Sequence, residues 1–269
     1  MGCQEQGEEV ESKGSAGDGA SWYKWKVIVG ISDDSTMMVW SMEGALLKQF
    51  YHHRASVYGL VVTTLFAVTG SMDGIMSIID LERLEIMKSW QAEENNWGIS
   101  DLAGDEDRIV SASFSGQLKV WCLPDCEQVL HLRGHAACYV SMSWPYVGTV
   151  SRTAPPGSCL EVWDISIGAR IASMGDRPAT FVGIDTDKIV VVETVRTESV
   201  LRPDISRMTI TTAEAVIRPM ASIFRNIEEA ESEERRIVFS YHKEGGMAVT
   251  STALVYSGVK GVCYFLSLL

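Results

Sequence analysis

The sequence predicts an all-β protein assembled as a stacked array of four-stranded antiparallel units, and three observations carry that prediction. From Ala20 onward, short apolar runs dominated by Val, Ile, Trp and Thr follow one another, each bounded by Gly, Asp, Ser or Pro, which is strand chemistry. Convincing helical periodicity is absent from most of the chain. One segment also recurs: SDDSTMMVW at residues 32–40 returns as SMDGIMSII at 71–79, SFSGQLKVW at 113–121 and GSCLEVWD at 157–164.

The period is measured at the aromatic or apolar end of the recurring strand. It falls at Trp40, Ile79, Trp121 and Trp163, in steps of 39, 42 and 42 residues. Looser copies end near Ile210 and near Tyr264 or Phe265. A unit that repeats at this period cannot bury its own faces, so each must stack on its neighbours. The third unit divides into strands over about 98–103, 108–113, 117–122 and 127–132. The fourth divides into YVSMSW, YVGTVSR, CLEVWD and ARIASM. Four short antiparallel strands every ~40–45 residues are the signature of a β-propeller blade.

Residues 1–19 are rich in Glu, Gly and Ser and poor in large apolar side chains, which predicts a disordered acidic tail. Residues 20–269 then form the propeller, with clear repeats over 20–175 and degenerate ones over 176–269. The charged run NIEEAESEERR at 226–236 reads as a solvated insertion between the last two blades, with a docking segment for a basic partner as the alternative.

At this point the chain resembles the WD-repeat β-propeller family, as a degenerate member. In that family a Gly-His pair precedes the innermost strand, an Asp occupies the turn before the third strand, and Trp-Asp ends that strand. Gly134-His135 supplies the first feature, and His53 fills the same place without the Gly. Asp34 and Asp73 each stand six residues before Trp40 and Ile79. Trp163-Asp164 is the full Trp-Asp pair, Ile79-Asp80 keeps its acid, and Trp40 and Trp121 are followed by Ser41 and Cys122. Ser115 replaces the turn Asp in the third unit, and RTAPPGS interrupts that turn in the fourth. The resemblance implies that Asp34, Trp40, His53, Asp73, Trp121, His135, Trp163 and Asp164 are structural repeat markers. Each missing marker is expected to remove a buried hydrogen bond of about 0.5–1.5 kcal/mol, leaving the later blades looser.

The totals narrow the function. A formal charge of −12 is the wrong sign for a phosphate-backbone binder or for an anionic membrane surface, so neither nucleic acid nor membrane is an expected partner. Cys122 and Cys126 form a C-x3-C with no second pair or His cluster to complete a zinc site, and no metal or cofactor is expected. Six cysteines without a framework spacing fit reduced thiols and a cytoplasmic, or nuclear, location. MGCQEQ opens like an acylation signal, but Gln6 stands where that motif wants Ser or Thr.

The sequence holds no G-x-S-x-G, H-E-x-x-H, P-loop, G-x-G-x-x-G or EF-hand loop, and GDEDR at 104–108 lacks alternating Ca²⁺ ligands and reads as a hairpin turn. The expectation is therefore no enzyme but a protein-protein interaction scaffold or adaptor. Its partner-binding residues are Arg54, Tyr58, Asn96, Trp97, Arg133, Tyr139 and Arg177, on loops that enter the innermost strands. Trp97 and Tyr139 read equally well as core residues at the start of an inner strand. The alternatives are a substrate-recognition subunit of a ubiquitin ligase and a propeller enzyme. No F-box-like helical segment precedes the repeats, and SIG follows Trp163-Asp164-Ile165 where the family's ligase-adaptor motif wants a basic residue. The run GVCYFLSLL reads as a third strand. Closure therefore favours about six blades, against an incomplete seven-bladed ring or one completed by a partner or second chain.

Overall fold

The computed structural model describes residues 27–94, 97–135, 139–151, 159–175, 177, 179–184, 188–201, 207–220, 235–242, 247–249, 253–257 and 263–267. The expected 1–19 tail and most of the 226–236 run lie outside them. Residues 235 and 236 open a strand.

Among the described residues six antiparallel sheets succeed one another along the chain. The first contains β1 (Val27–Ile31), β2 (Met37–Ser41) and β3 (Leu46–Phe50). The second contains β4 (Val57–Val62), β5 (Phe66–Ser71), β6 (Ile75–Asp80) and β7 (Glu85–Gln91). The third is β8 (Ile99–Gly104), β9 (Arg108–Ser113), β10 (Gln117–Cys122) and β11 (Glu127–Arg133). The fourth is β12 (Tyr139–Ser143), β13 (Tyr146–Val150), β14 (Leu160–Asp164) and β15 (Ala169–Met174). The fifth is β16 (Ala179–Ile184), β17 (Lys188–Leu201), β18 (Arg207–Pro219) and β19 (Arg235–His242). The sixth is β20 (Met247–Val249), β21 (Ala253–Ser257) and β22 (Cys263–Ser267). Strands β4, β8, β12 and β16 lie beside one another in turn, and β20 follows β16, which is a propeller-like arrangement.

Alternation along the third strand of each unit decides how the sheets stack. In β10, Leu118 and Val120 pack with Val140 and Val147 of the fourth sheet, whereas Trp121 points back among Val61, Val68 and Ile78 of the second. In β14, Leu160 and Val162 join Val182 and Ile189 of the fifth sheet, while Trp163 turns back to the third. In β6, Met76 and Ile78 go forward and Ile79 goes back. The repeated Trp or Ile is thus a wedge into the preceding sheet. Burial of each such side chain contributes about 1.5–3 kcal/mol.

The period-2 pattern is interrupted at the same place in the outermost pairing of each of the first four sheets, and again in the innermost pairing of the second and third, at Val57/Gly59 and Ile99/Asp101. The outermost pairing shifts register at Val39/Trp40, Ile78/Ile79, Val120/Trp121 and Val162/Trp163. A bulge there twists the outer strand and blunts an edge that would otherwise invite pairing with another chain. The turns before the third strand need a left-handed residue, supplied by Gly74 at φ 76° and Gly116 at φ 84°, and by Ser35 at φ 73° in the first sheet.

At two turns of the described residues a serine stands in for a lost marker. Asp80 Oδ1 accepts the N–H groups of Glu82 and Arg83, and Asp164 Oδ1 accepts that of Ser166. In the first sheet Ser41 Oγ accepts the N–H of Glu43 and of Ala45 in the same place. The turn at Ser115 is tied by a 2.6 Å bond between the Ser113 and Ser115 hydroxyls. GDEDR is the expected hairpin turn, and it also joins two sheets: Glu106 Oε1 accepts from Thr64 N at 2.9 Å and Thr64 Oγ1 at 2.7 Å.

The fifth sheet departs from the period. β17 and β18 run for 14 and 13 residues. β16 accompanies β17 only as far as the Ala179–Glu193 pair, beyond which β17 pairs with β18 alone up to Leu201 opposite Arg207. At ~3.3 Å per residue the extra length carries this hairpin roughly 25 Å past the end at which β16 begins. Trp163 lies opposite Val147, the second residue of β13; the residue opposite Ile189, the second of β17, is Arg218. The fifth copy therefore ends at Arg218 rather than near Ile210, because the added hairpin length precedes it.

Candidate partner-binding face

Register places one set of loops at a common end. Val57 pairs with Ser71 and Ile99 with Ser113, so the turns after β5 and β9 lie where β4 and β8 begin. The loop 53–57 is fixed there by polar contacts, the innermost of them buried. His53 Nε2 is 2.8 Å from the Thr69 hydroxyl and His53 Nδ1 is 3.5 Å from Asp73 Oδ2. The Arg54 N–H donates to Asp73 Oδ2 at 2.8 Å, and Ser71 Oγ donates to the Ala55 carbonyl at 2.9 Å. Ser56 Oγ donates to the Asp33 carbonyl, which ties this loop to the first sheet.

Charge within the network follows from burial and bonding. Burial works to raise the Asp73 carboxyl, but the N–H groups of Arg54 and Ile75, with His53, outweigh it and hold it below the usual carboxylate range. Burial pushes His53 down, and Asp73 only partly offsets this. His52, whose ring lies 4.2 Å from that of His53, is pushed down to about 4, by burial first and by its neighbour second. Thr69 is fully buried at the end of the Asp73, His53 and Thr69 series, so its hydroxyl lies out of reach of solvent. The series holds a loop to a strand.

The same strut recurs with its charges exchanged. In the third sheet a buried carboxylate, Glu93, takes the loop position, and Lys119 Nζ lies 3.0 Å from its Oε1 while also donating to the Ala92 carbonyl. In the fourth, His135 returns to the loop: its Nδ1 is 3.5 Å from Glu161 Oε2, which also accepts the His135 N–H, and Arg170 pairs with Glu161 Oε1. Glu161 stands on β14, two residues before Trp163, where β10 carries Lys119.

Asp101 on β8 links two innermost strands. Its Oδ1 accepts the Leu102 N–H and its Oδ2 accepts the Val140 N–H of β12, both at 2.9 Å. Burial raises its carboxyl to about 7, against those two donors. Ser141 Oγ makes the next link, accepting the Ile184 N–H of β16 at 3.0 Å.

On this braced frame sits a contiguous apolar patch. Tyr58 is 41 % exposed, Met72 40 %, Trp97 48 % and Phe114 37 %. The Tyr58 and Phe114 rings meet edge to face at 6.3 Å. Phe114 N donates to the Gly98 carbonyl, and a Cβ on Gly98 would lie 2.6 Å from the Met72 Cα, so Trp97 immediately precedes a residue pressed onto that turn.

Of the partner residues read from the sequence, Arg54, Tyr58 and Trp97 come together here, all exposed. Asn96 lies outside the described residues. Tyr139 turns inward: it is half-buried against the core between the fourth and fifth sheets, 6.3 Å from the Phe181 ring. Arg133 ends β11 and lines a shallow notch with Gln117, His131 and Leu132, and Arg177 is exposed on the connection to β16. Met72 and Phe114 were missed. Both occupy the second position of the Ser-x-Asp/Ser-Gly turns SMDG and SFSG, and a large apolar residue at a turn apex was the signal.

No family model matches the chain. It is 23% identical over 137 residues to autophagy-related protein 16 of Arabidopsis thaliana, which covers 48% of this chain and 27% of that protein. It is 24% identical over 159 residues to telomerase protein component 1 of Mus musculus, covering 55% of this chain and 6% of that one. The chain therefore spans about a quarter of the first relative and a small fraction of the second. These similarities give distant support to the WD-repeat resemblance. Among solved structures, the computationally designed Ika8 protein aligns with TM-score 0.63 and 17% identity, covering 90% of this chain and 80% of that one. U3-55K aligns with TM-score 0.61 and 13% identity, covering 86% and 84%. At such identities the likeness concerns the fold.

Proposed function

We propose that the protein is a non-catalytic interaction scaffold of the WD-repeat type, built on a ring of about six blades, which binds protein partners in the cytoplasm through the loops at the end where β4 and β8 begin. One observation carries this reading: Tyr58 at the start of β4 and Met72, Trp97 and Phe114 on the neighbouring turns and loops are exposed together on a frame braced by buried polar struts. Aromatic residues and Arg on a preordered frame are the usual anchors of protein interfaces, and ordered loops lose little freedom on binding. The distant relatives are consistent with a scaffold role.

The test is affinity capture from cell extract by the full chain beside the Arg54→Ala/Trp97→Ala variant, with captured proteins identified by mass spectrometry. A defined set retained by the native chain and lost by the folded variant is the expected result. Equal capture by both would remove this face from the interface.

A further inference from the structure

The patch carries information about what covers it. It comprises four side chains at one corner, spread over the second and third sheets. A stable contact between two globular domains buries ~800 Å² on each partner, more than such a corner offers. A short segment fits that size better than a domain.

Charge around the corner is one-sided. Asp33 and Asp34 are exposed on the turn after β1, Glu94 is exposed beside Trp97, and Asp73 is partly exposed below Met72. Asp34 is held below the usual carboxylate range, chiefly by the Thr36 hydroxyl, and Asp73 by the N–H groups named above, so both are ionised at neutral pH. The two histidines of the loop have both been pushed down and are neutral there. Glu93 and Lys119 cancel each other. Among the described residues of these turns and loops, Arg54 is the one remaining cation.

We propose that the occupant is a short linear segment of a partner protein carrying a large apolar side chain flanked by Lys or Arg; this rests on the scaffold reading. The apolar side chain seats on Met72 and Phe114. A thioether beside aromatic edges adapts its shape and accepts Leu, Met or Phe alike. The flanking cations meet Asp33, Asp34 and Glu94, and a guanidinium or ammonium over the Tyr58 or Trp97 ring gains about 0.5–1 kcal/mol at an exposed site. A phosphate backbone or an anionic bilayer brings the opposite charge and is repelled by the same carboxylates.

The experiment selects from a phage library of random twelve-residue peptides on the immobilised full chain at 50 mM salt. The strongest peptide is synthesised and its affinity measured by fluorescence anisotropy. Expected are peptides with Leu, Phe, Trp or Met next to Lys or Arg, weakened at least tenfold by Met72→Asp/Phe114→Asp. Asp33→Asn/Glu94→Gln and a rise to 300 mM salt should each weaken binding three- to tenfold. Asp is a tolerated choice, because Asp33 already holds the same turn position in the first sheet. If that variant loses its native circular dichroism, Met72→Ser/Phe114→Ser takes its place. No enrichment, acidic or uncharged salt-insensitive peptides, or undiminished binding to the patch variants would overturn the proposal. If the patch variant still captures a defined protein set from extract, the scaffold reading survives with its site elsewhere.

Discussion

Lys119→Met removes the ammonium that lies 3.0 Å from Glu93 Oε1 and leaves a carboxylate that is 1 % exposed without its counter-charge. Oε2 of the same group meets no hydrogen-bond donor that would compensate it. At 3 Å and an effective dielectric constant of about 20, the gross attraction is about 5–6 kcal/mol, most of which offsets the cost of taking both ions out of water. The pair is therefore worth little net, but breaking it from one side is expected to cost about 3–5 kcal/mol. Because Lys119 sits on the third strand of the third sheet, the loss should lower the thermal unfolding midpoint by roughly 10 °C. The companion is Lys119→Met/Glu93→Leu, in which no charge is buried. It should recover to within about 1 kcal/mol of the native chain in urea unfolding followed by tryptophan fluorescence. A double variant as unstable as the single one would refute the reasoning. The loss would then come from the Ala92 carbonyl or from packing, and not from an unpaired charge.

Three further outcomes follow from the same geometry. Trp121 Nε1 donates to Ser111 Oγ at 2.9 Å, whereas the buried Trp163 Nε1 has no acceptor; in urea unfolding, Trp121→Phe should cost about 1–2 kcal/mol more than Trp163→Phe. Ser35 takes the left-handed conformation that Gly74 and Gly116 take in the next two sheets, so Ser35→Gly should stabilise by up to about 1 kcal/mol, read as a rise in the thermal midpoint. Opposed titrations act between pH 4 and 7, Asp101 against His52 and His53. Asp101, raised to about 7, binds a proton in the folded state that it releases on unfolding, so its contribution falls as pH rises through that range. His52, lowered to about 4, does the reverse up to about pH 6.5, its unperturbed value. Denaturation at several pH values should show stability rising with pH more steeply in Asp101→Asn than in the native chain, and less steeply in His52→Gln; parallel curves for all three proteins would dismiss both assignments.

The sequence by itself determined the strands and their period, because side-chain alternation and turn residues are local. The strands read at 108–113 and 117–122 are β9 and β10 as observed, the one read near 98–103 is shifted by one residue from β8, and the one read near 127–132 is one residue shorter than β11. Ile79, Trp121 and Trp163 were legible as repeat markers because each fills the wedge against the preceding sheet, and Trp40 holds the same strand position in the first sheet. What tertiary structure decided was pairing at a distance. Glu93 and Lys119 stand 26 residues apart and His135 and Glu161 likewise, and no local pattern says that an acid on a loop replaces a histidine when the strand offers a lysine. The same holds for Tyr58 and Phe114, which meet only because successive inner strands lie side by side. Tyr139 shows the converse: as an aromatic at a strand start it was ambiguous, and the Phe181 ring across the sheet interface draws it into the core. Alternation fixes which residues share a face; only the stacking of sheets fixes what that face meets.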